Sequence, residues 1–271
     1  MIQTQSTKSK EQNAKIVVNQ NIHGPYFLII IEAPEIAIKA LPGQFVTVKL
    51  SQNYELLLRR PFSIHRAQGK TIEILYEVVG RGSKILSQKK PGEALDIIGP
   101  LGSGFSYHLL LAAYRLPILI CGGMGVAPMF FLAEQIISDY PKFDIEVLIG
   151  AKTAKQILCE NEFKKLGCSV TISTNDGSKG FKGRVTKLLE NILSDRLIEE
   201  ERPMFYACGP RPMLREVSRL SKEYKIPAQI SLEEHMACGI GACFGCAVET
   251  REGFKRACRE GPVFNAAEIV W

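Results

Sequence analysis

The sequence predicts a β-barrel followed by an α/β domain with a parallel sheet, and a small cysteine-rich segment after both. Three observations predict this order. Short β-rich runs separated by Gly and Pro extend to about residue 105, apolar strands then alternate with helical stretches, and four of the eight cysteines fall between Cys238 and Cys258. A chain of 271 residues is long enough for two domains of about 100–200 residues and a small appendage.

The predicted barrel follows a polar tail, residues 1–13, and occupies residues 14–111. Its β-rich runs are residues 15–18, 26–32, 44–49, 63–66, 71–79 and 94–99. Strands this short, at this spacing and with turn residues between them, are typical of an antiparallel barrel.

The predicted α/β domain occupies residues 112–230. Its strands are residues 118–121, 145–149, 170–173, 205–208 and 229–232, and its helices are residues 129–138, 160–166, 185–193 and 213–223. This alternation indicates βαβ units and a parallel sheet. The remaining residues, 231–271, show no periodic apolar face and form the cysteine-rich segment.

Composition excludes several classes of protein. The net charge of +6 is spread over 34 Lys and Arg and 28 Asp and Glu, without the basic stripe of a nucleic-acid-binding protein. Residues 116–133 lack charge over the length of a membrane span, but Gly and Pro within them favour a strand, a turn and a helix. The N-terminal residues do not resemble a signal peptide, so we expect a cytoplasmic protein whose cysteines are thiols or metal ligands.

Four cysteines carry the strongest motif in the chain. Cys238, Cys243, Cys246 and Cys258 are spaced C-x4-C-x2-C-x11-C, and the first three match plant-type [2Fe–2S] ligation. Small residues between them allow a short loop to wrap closely around a cluster. Structural zinc and plain thiols are the alternatives, although zinc sites usually show two separated C-x2–4-C pairs.

Two glycine-containing turns follow strands of the predicted parallel sheet. The first holds Gly122, Gly123 and Gly125, and the second holds Cys208 and Gly209. Ligands bind across the carboxyl ends of parallel strands, and a helix N-terminus favours a pyrophosphate, so both turns are candidates for one dinucleotide site. The alternatives are tight βα turns and a cysteine that simply packs.

Two motifs in the barrel region are candidates for binding a phosphate-bearing ligand with a flat ring. The first, Arg60, Pro61, Phe62 and Ser63, combines a cation for a phosphate with an aromatic ring that stacks on a flat ring. The second, with Gly82 and Ser83, resembles a helix N-terminus that offers N–H donors to a pyrophosphate. A charged edge strand and a Ser-capped helix are the respective alternatives.

Taken together, these motifs resemble the ferredoxin reductase superfamily over about residues 14–230. Residues 60–63 look like its flavin-binding motif R-x-[Y/F]-[S/T], and residues 122–128 and 208–210 look like its nicotinamide-side motifs. The full length, including residues 232–243 and 258–264, is similar to the electron-transfer subunits of heteromeric dihydroorotate dehydrogenases.

The resemblance implies FAD, NAD and a [2Fe–2S] cluster as cofactors, and an FMN-containing catalytic subunit as partner in a heterotetramer of pyrimidine biosynthesis. It places FAD on Arg60, Pro61, Phe62, Ser63, Leu75, Tyr76, Glu77, Gly82 and Ser83, and the cluster on Cys238, Cys243, Cys246 and Cys258.

A neighbouring family stays open as an alternative. It comprises the small subunits of NADH-dependent ferredoxin:NADP oxidoreductases and sulfhydrogenases, in which an aspartate often stands at the position of Cys238. NADP also stays open, because Lys152, Thr153 and Lys155 follow a strand and could meet a 2′-phosphate. The apolar residues 262–264 are interpreted either as part of a docking face or as packing residues.

Overall fold

The computed structural model describes residues 10–50, 56–108, 116–195, 200 and 202–271. Within them the chain forms two seven-stranded sheets and a two-stranded hairpin. The strands are β1 Lys10–His23, β2 Tyr26–Glu32, β3 Phe45–Lys49, β4 Arg60–Ser63, β5 Arg66–Gln68, β6 Thr71–Glu77, β7 Ala94–Leu101, β8 Leu116–Gly122, β9 Glu146–Ala151, β10 Ser169–Thr174, β11 Phe181–Lys182, β12 Pro203–Cys208, β13 Ala228–Ser231, β14 Ala247–Thr250, β15 Gly253–Arg256 and β16 Val263–Asn265. The α-helices are α1 Pro34–Ala37, α2 Arg81–Gln88, α3 Val126–Asp139, α4 Glu160–Lys165, α5 Val185–Ser194 and α6 Arg211–Glu223.

The first sheet is antiparallel and has the strand order β4-β3-β7-β1-β2-β6-β5. One face buries aliphatic side chains such as Val46 in a shared core, as the alternation of strand side chains requires. The terminal strands β4 and β5 are separated along the chain by Ile64 and His65 alone. The N–H of Ile64 donates to the carbonyl of Gln44 and that of His65 to the carbonyl of Glu73, so the chain passes here from β3 to β6.

Two sequence predictions in this region need correction. Residues 63–66 do not form one strand, because Ile64 and His65 bond to different partner strands and so separate β4 from β5. β1 is also longer than predicted, since residues 10–14 pair with residues 95–99 of β7. The last residues assigned to the polar tail therefore belong to the sheet.

The second sheet has the strand order β11-β10-β9-β8-β12-β13-β16 and is parallel except for β16. Helix α3 packs on one face, and α5 and α6 pack on the other. Because helices cover both faces of the sheet, β8 and β12 are buried along nearly their whole length. Their sequences are therefore continuous apolar runs. The parallel sheet predicted from the βαβ pattern is confirmed.

The uncharged stretch of residues 116–133 consists of β8, a turn of 3-10 helix at Gly123–Gly125 and the start of α3. In the described part of the chain, no helix combines the length and the apolar character that a membrane span needs. The predicted order of a strand, a turn and a helix is confirmed.

The cysteine-rich segment contains three strands that sequence analysis did not predict. β14 and β15 form the hairpin, and β16 pairs with β13 at the edge of the parallel sheet. Strands of three or four residues are too short to show a period in the sequence. The predicted boundary between residues 230 and 231 falls inside β13, so the segment shares a sheet with the α/β domain.

His65 links the antiparallel sheet to α3. Its Nδ1 lies 2.9 Å from the carbonyl oxygen of Ala127, and its ring stacks on Phe130 with centroids 5.0 Å apart. The neighbouring Arg66 forms an ion pair with Glu134 on the same helix. Burial lowers the pKa of His65 to about 4, and the positive charge of Arg66 acts in the same direction, whereas the carbonyl opposes it.

We expect this histidine to make stability depend on pH. Its pKa is about 4 when folded and about 6.5 when unfolded, so the unfolded chain binds the proton more tightly as the pH falls through this range. Lowering the pH from 7.5 to 5 should reduce the free energy of unfolding by about 2 kcal/mol through this group. Urea unfolding of the wild type and of His65→Asn, whose amide still donates to Ala127, would measure the difference. An unchanged pH dependence in the variant would contradict the prediction.

Candidate functional site

A cavity of about 1590 Å³ opens where the two sheets and the cysteine-rich segment meet. Parallel strands β8 and β12 end at this cavity, as expected for a nucleotide site in an open α/β sheet. Most of the predicted cofactor-binding residues line it. They are Pro61, Phe62, Ser63, Leu75, Tyr76, Glu77, Gly122, Gly123, Gly125, Cys208 and Gly209.

The antiparallel sheet contributes an aromatic wall. The ring of Phe62 meets that of Tyr76 edge to face at 5.9 Å, and Tyr76 stacks on Phe27 at 5.7 Å. The hydroxyl of Tyr76 donates to Oδ1 of Asn19 at 3.1 Å, which fixes the orientation of the ring. The rings of this wall are apolar and meet at a steep angle, and the face of either ring can pack against a planar aromatic ligand.

Three predicted flavin residues lie beside the cavity instead of lining it. Arg60 and Gly82 are neighbours, since a Cβ added to Gly82 would lie 3.4 Å from Nε of Arg60. The hydroxyl of Ser83 accepts the N–H groups of Val79 and Gly80 at 3.0 and 3.2 Å, so it caps α2. The guanidinium of Arg60 therefore lies next to the N-terminus of a helix, an arrangement that favours an anion.

Arg59, the sequence neighbour of Arg60, is paired within the protein. Its guanidinium is paired with Oδ1 of Asp96 at 2.7 Å, and both side chains are mostly buried. It also donates to the carbonyl oxygen of Asp96 at 3.0 Å. Arg59 thus holds β7 against the segment before β4.

The two nucleotide-side turns touch each other through their backbones. A Cβ added to Gly125 would lie 2.0 Å from the carbonyl oxygen of Cys208, and one added to Gly209 would lie 2.9 Å from Cα of Gly122. Gly123 adopts a positive φ of 53° in open space. The glycines are therefore required by different constraints, and they leave the backbone of both turns open to a ligand.

Cys208 lies at the carboxyl end of β12 and is buried. Burial raises the pKa of its thiol well above the usual range, and the negative charge of Glu233 adds to this, so Cys208 is a neutral thiol. The side chain of Glu233 lines the cavity. The protein around it reduces the hydration of its carboxylate, and this raises its pKa. Glu233 was not predicted from the sequence because it lies in no strand-to-helix turn.

The far end of the cavity is lined by polar residues from the parallel sheet. Lys152, Asn175, Arg184 and Lys187 are among them. Lys152 was considered in the sequence as a partner for a 2′-phosphate, whereas Thr153 and Lys155 are not part of the lining. Arg184 begins α5 beyond β10 and β11, so the strand-end rule that found the other turns also applies to it.

The hairpin explains the spacing of the last two cysteines. Cys246 directly precedes β14, and a single residue separates the end of β15 from Cys258. The N–H of Ala257 donates to the carbonyl of Cys246 at 3.0 Å, which continues the hairpin ladder and brings both ends together. The gap of eleven residues is therefore long enough to return the fourth cysteine to the third.

The first two cysteines belong to a loop with left-handed backbone conformations. Gly239, Gly241 and Phe244 have φ values of 70°, 84° and 58°. The N–H of Ala242 donates to Sγ of Cys238 at 3.3 Å, and that of Gly245 donates to Sγ of Cys243 at 3.4 Å. Partial burial opposes ionisation of Cys238, but the surrounding N–H groups outweigh it and lower the pKa to about 6.

The four thiols are arranged as two pairs. The thiol of Cys238 is close enough to that of Cys243 to influence its ionisation, and the same holds for the thiols of Cys258 and Cys246. Among the described residues, no three His, Cys, Asp or Glu side chains converge as one metal ion requires. Two pairs of thiols fit a cluster of two irons, which takes two thiolates on each iron, better than they fit a single zinc ion.

Arg256 fixes the cysteine loop to the hairpin. Its guanidinium donates to the carbonyl of Gly241 at 2.5 Å and lies over the ring of Phe244 at 4.7 Å. It also pairs with the carboxylate of Glu260. Through these contacts Arg256 joins Gly241 and Phe244 of the cysteine loop to the end of β15.

The structure decides between the two interpretations of residues 262–264. Pro262, Val263 and Phe264 are buried, and β16 pairs with β13, so they are packing residues and do not form a docking face. The exposed apolar side chains next to the thiols are instead Ile240 and Phe244, which are 50% and 53% exposed.

Comparison with known proteins gives a consistent result over the whole chain. The chain is 40% identical to the "dihydroorotate dehydrogenase B (NAD(+)), electron transfer subunit" of Desulforamulus reducens, over 97% of this chain and 99% of that protein. It is also 40% identical to the protein of the same name from Bacillus caldolyticus, over 84% and 86%.

The chain belongs to the dihydroorotate dehydrogenase B electron transfer subunit family.

Two family models match within the chain. The iron–sulfur cluster binding domain of dihydroorotate dehydrogenase B matches residues 233–270, which contain all four clustered cysteines. The oxidoreductase NAD-binding domain matches residues 119–219. The predicted membership of this family is confirmed, and the two matched models support the predicted iron–sulfur cluster and NAD.

Solved structures confirm the ferredoxin reductase-like fold. An NADH-dependent reduced ferredoxin-NADP oxidoreductase, studied for flavin-based electron bifurcation, is 28% identical with a TM-score of 0.83, over 96% of this chain and 90% of that one. A ferredoxin NADP+ reductase from Neisseria gonorrhoeae is 17% identical with a TM-score of 0.66, over 80% and 92%. The second likeness concerns the fold alone.

The contact between the two turns in this electron transfer subunit can be tested by substitution. We expect Gly125→Ala to lower the free energy of unfolding by about 3 kcal/mol, because its Cβ would overlap the carbonyl of Cys208, which is backbone and cannot rotate away. Gly123→Ala is the matched control, and its positive φ in open space should cost about 1 kcal/mol. Urea unfolding of both variants would measure the difference. Equal losses would show that the turns separate readily.

Proposed function

We propose that this chain passes electrons from NADH, through FAD and a [2Fe–2S] cluster, to an FMN-containing dihydroorotate dehydrogenase subunit in pyrimidine biosynthesis. The relatives carry the name of the electron transfer subunit, and residues 119–219 and 233–270 match the NAD-binding and iron–sulfur models. When bound, FAD exchanges two electrons with NADH and one at a time with the cluster, which carries single electrons.

The observation that carries this proposal is that one cavity adjoins all three cofactor regions. The flavin-side wall, the two nucleotide turns and residues 231–236 of the cysteine-rich segment line the same space. Met236 lies two residues before Cys238, and Phe45 both lines the cavity and packs in the core that contains Cys246 and Cys258. The cavity thus adjoins the segment that carries the four cysteines.

We assign FAD to the antiparallel sheet, which we propose closes into a barrel through the continuous chain between β4 and β5. Phe62 and Tyr76 offer apolar ring faces for packing, and Ser63 and Glu77 offer polar groups beside them. Arg60, together with the first turn of α2 at Gly82 and Ser83, is suited to bind the pyrophosphate. Leu75 and Pro61 complete the wall.

We assign NAD to the ends of β8 and β12. Gly122, Gly123, Gly125 and Gly209 leave room for the pyrophosphate, and α3 presents its N-terminus there. Cys208 is a neutral, buried thiol that presents a soft, uncharged surface to the nicotinamide.

We assign the cluster to Cys238, Cys243, Cys246 and Cys258, with two thiolates on each iron. The N–H groups of the loop already donate to the sulfur atoms and stabilise their negative charge. The exposed side chains of Ile240 and Phe244 frame this site and form the proposed docking face for the FMN subunit in a heterotetramer. We propose a cytoplasmic location because eight thiols require a reducing compartment.

A second candidate function is that of a subunit of a ferredoxin-linked oxidoreductase. The structural likeness at 28% identity favours it, but the four-cysteine set and the 40% identity to the dihydroorotate dehydrogenase relatives favour the first. Anaerobic assays with two partners separate them.

The central experiment reconstitutes the purified chain with FAD and cluster under anaerobic conditions. Alone, it should oxidise NADH with an artificial acceptor but should not interconvert dihydroorotate and orotate, because that reaction needs a base and a closed substrate pocket beside a second flavin. Adding the FMN subunit should create NADH-linked orotate reduction that neither component shows alone. Orotate turnover by the isolated chain would refute the proposal, and activity with ferredoxin but not with the FMN subunit would favour the second candidate.

The assignment of Arg60 predicts a loss of flavin. Arg60→Ala should weaken FAD binding about tenfold or more, since a charge-assisted hydrogen bond contributes about 1.5–3 kcal/mol. Arg59→Ala is the matched control, because it breaks the pair with Asp96 and should lower the unfolding midpoint without changing the FAD affinity of the folded chain. FAD titration followed by fluorescence measures both affinities. Equal affinities in the two variants would contradict the assignment.

The assignment of Cys246 predicts that Cys246→Ser removes the visible absorbance of the cluster while the flavin spectrum remains. The thiols and the flavin wall lie in different segments, so the loss should be selective. Cys159→Ser, at a half-buried position outside the motif, should retain both cofactors. Absorbance together with iron and sulfide analysis is the readout, and a full iron content in Cys246→Ser would exclude this ligand.

A further inference from the structure

One face of β3 is turned towards the cysteine-rich segment. Side chains alternate along the strand, so Val46 and Val48 enter the core of the antiparallel sheet, whereas Phe45 and Thr47 lie on the opposite face. On that face Phe45 packs in the same core as Cys246 and Cys258. Thr47 therefore lies on the face of the antiparallel sheet that is turned towards the thiols.

Thr47 contacts the cysteine loop directly. A Cβ added to Gly239 would lie 2.6 Å from Cγ2 of Thr47 and 4.0 Å from its Oγ1. Gly239 immediately follows Cys238, and its φ of 70° holds the loop against the strand. In the sheet, Thr47 is paired with Pro61 of the flavin motif on β4 and with Ile98 on β7.

The hydroxyl of Thr47 has no hydrogen-bond partner in the part of the chain that the structure describes. The residue is 1% exposed, so the hydroxyl is withdrawn from bulk water. Among the described residues, buried side-chain polar atoms without a hydrogen-bond partner also occur on Tyr206 and Trp271. Both residues lie outside the cysteine loop. Since buried hydroxyl groups in proteins are almost always bonded, the position of Thr47 points to an acceptor that arrives with a bound group.

We propose that the hydroxyl of Thr47 donates a hydrogen bond to a sulfur atom of the [2Fe–2S] cluster. This rests on the proposed assignment of the cluster to the four cysteines. Thr47 does not line the cofactor cavity, whereas its neighbours Phe45 and Pro61 do, so the cluster is favoured over the flavin as the acceptor. Hydrogen bonds to cluster sulfur stabilise the reduced, more negative state and raise the reduction potential.

The consequence is that the flavin-binding sheet helps to set the potential of the cluster. The loop itself supplies the N–H donors of Ala242 and Gly245. Thr47 would add a donor from a strand whose two neighbours, β4 and β7, hold it rigidly in place. Thr47 is thus a positioning and tuning residue, and no bond to iron is required of it.

The test compares Thr47→Val, which has the same shape without the hydroxyl, with Thr47→Ser, which keeps the hydroxyl. Both variants are studied as the complete complex with the FMN subunit under anaerobic conditions. The potentials of the cluster and of the flavins are measured separately, by electron paramagnetic resonance and by visible absorbance. Thr47→Val should lower the equilibrium constant for reduction of the cluster about tenfold, which is about 59 mV for one electron, with the FAD potential unchanged. Thr47→Ser should restore the potential.

A second measurement uses the chain without cofactors. There the hydroxyl of Thr47 is unsatisfied, so Thr47→Val should leave the urea midpoint unchanged or raise it. The matched control is Thr250→Val on β14, whose hydroxyl donates to the carbonyl of Gly253 at 2.6 Å. That variant should lower the urea midpoint and leave the cluster potential unchanged.

The outcomes distinguish this inference from the proposed function. A wild-type chain that binds no cluster would overturn both. A wild-type chain with a full cluster, whose potential and resonance spectrum are the same in Thr47→Val, would overturn the inference alone. A shift confined to the FAD potential would also overturn it, because the hydroxyl would then bond to the flavin.

Discussion

The contact between the turns after β8 and β12 constrains the rest of the site. With 2.0 Å between an added Cβ at Gly125 and the carbonyl of Cys208, no side chain fits there, and the two strand ends are held at backbone contact. The cavity starts at this contact and extends to the aromatic wall of the antiparallel sheet on one side and to the cysteine-rich segment on the other. The positions of all three proposed cofactor regions therefore depend on this backbone contact.

The cysteine-rich segment is a joint between the two domains. Its strand β16 extends the parallel sheet, while Pro262 and Val263 pack against Gly102, which follows β7, and Gly43, which precedes β3. A Cβ added to these glycines would lie 2.6 and 2.8 Å from Pro262 and Val263. Both sides must be in place before the segment packs completely. Electron transfer depends on such an arrangement, because donor and acceptor must keep a fixed separation.

Much of this organisation could be predicted from the sequence. The four cysteines were recognisable because ligand spacing is a local property, and the glycine turns because each follows an apolar strand. The position of Glu233 at the cavity and that of Thr47 against the cysteine loop could not be predicted, since both depend on contacts between segments that are distant in the sequence. Phe244 and the hairpin were missed for a related reason: strands of four residues show no period, and the hydrogen bonds of the hairpin, not its composition, bring Cys246 to Cys258. The burial of residues 262–264 likewise depends on a strand pairing that spans more than 30 residues.

The strand β16 has a further consequence for how this fold is maintained. β13 would otherwise be the last strand of the parallel sheet, with a row of open backbone groups that invites pairing with another chain. Antiparallel addition of Val263–Asn265 covers that row. A chain that ended before residue 263 would expose this edge and become prone to aggregation. The segment that carries the four cysteines therefore also protects the sheet edge through its last strand, so it cannot be removed as a separable part.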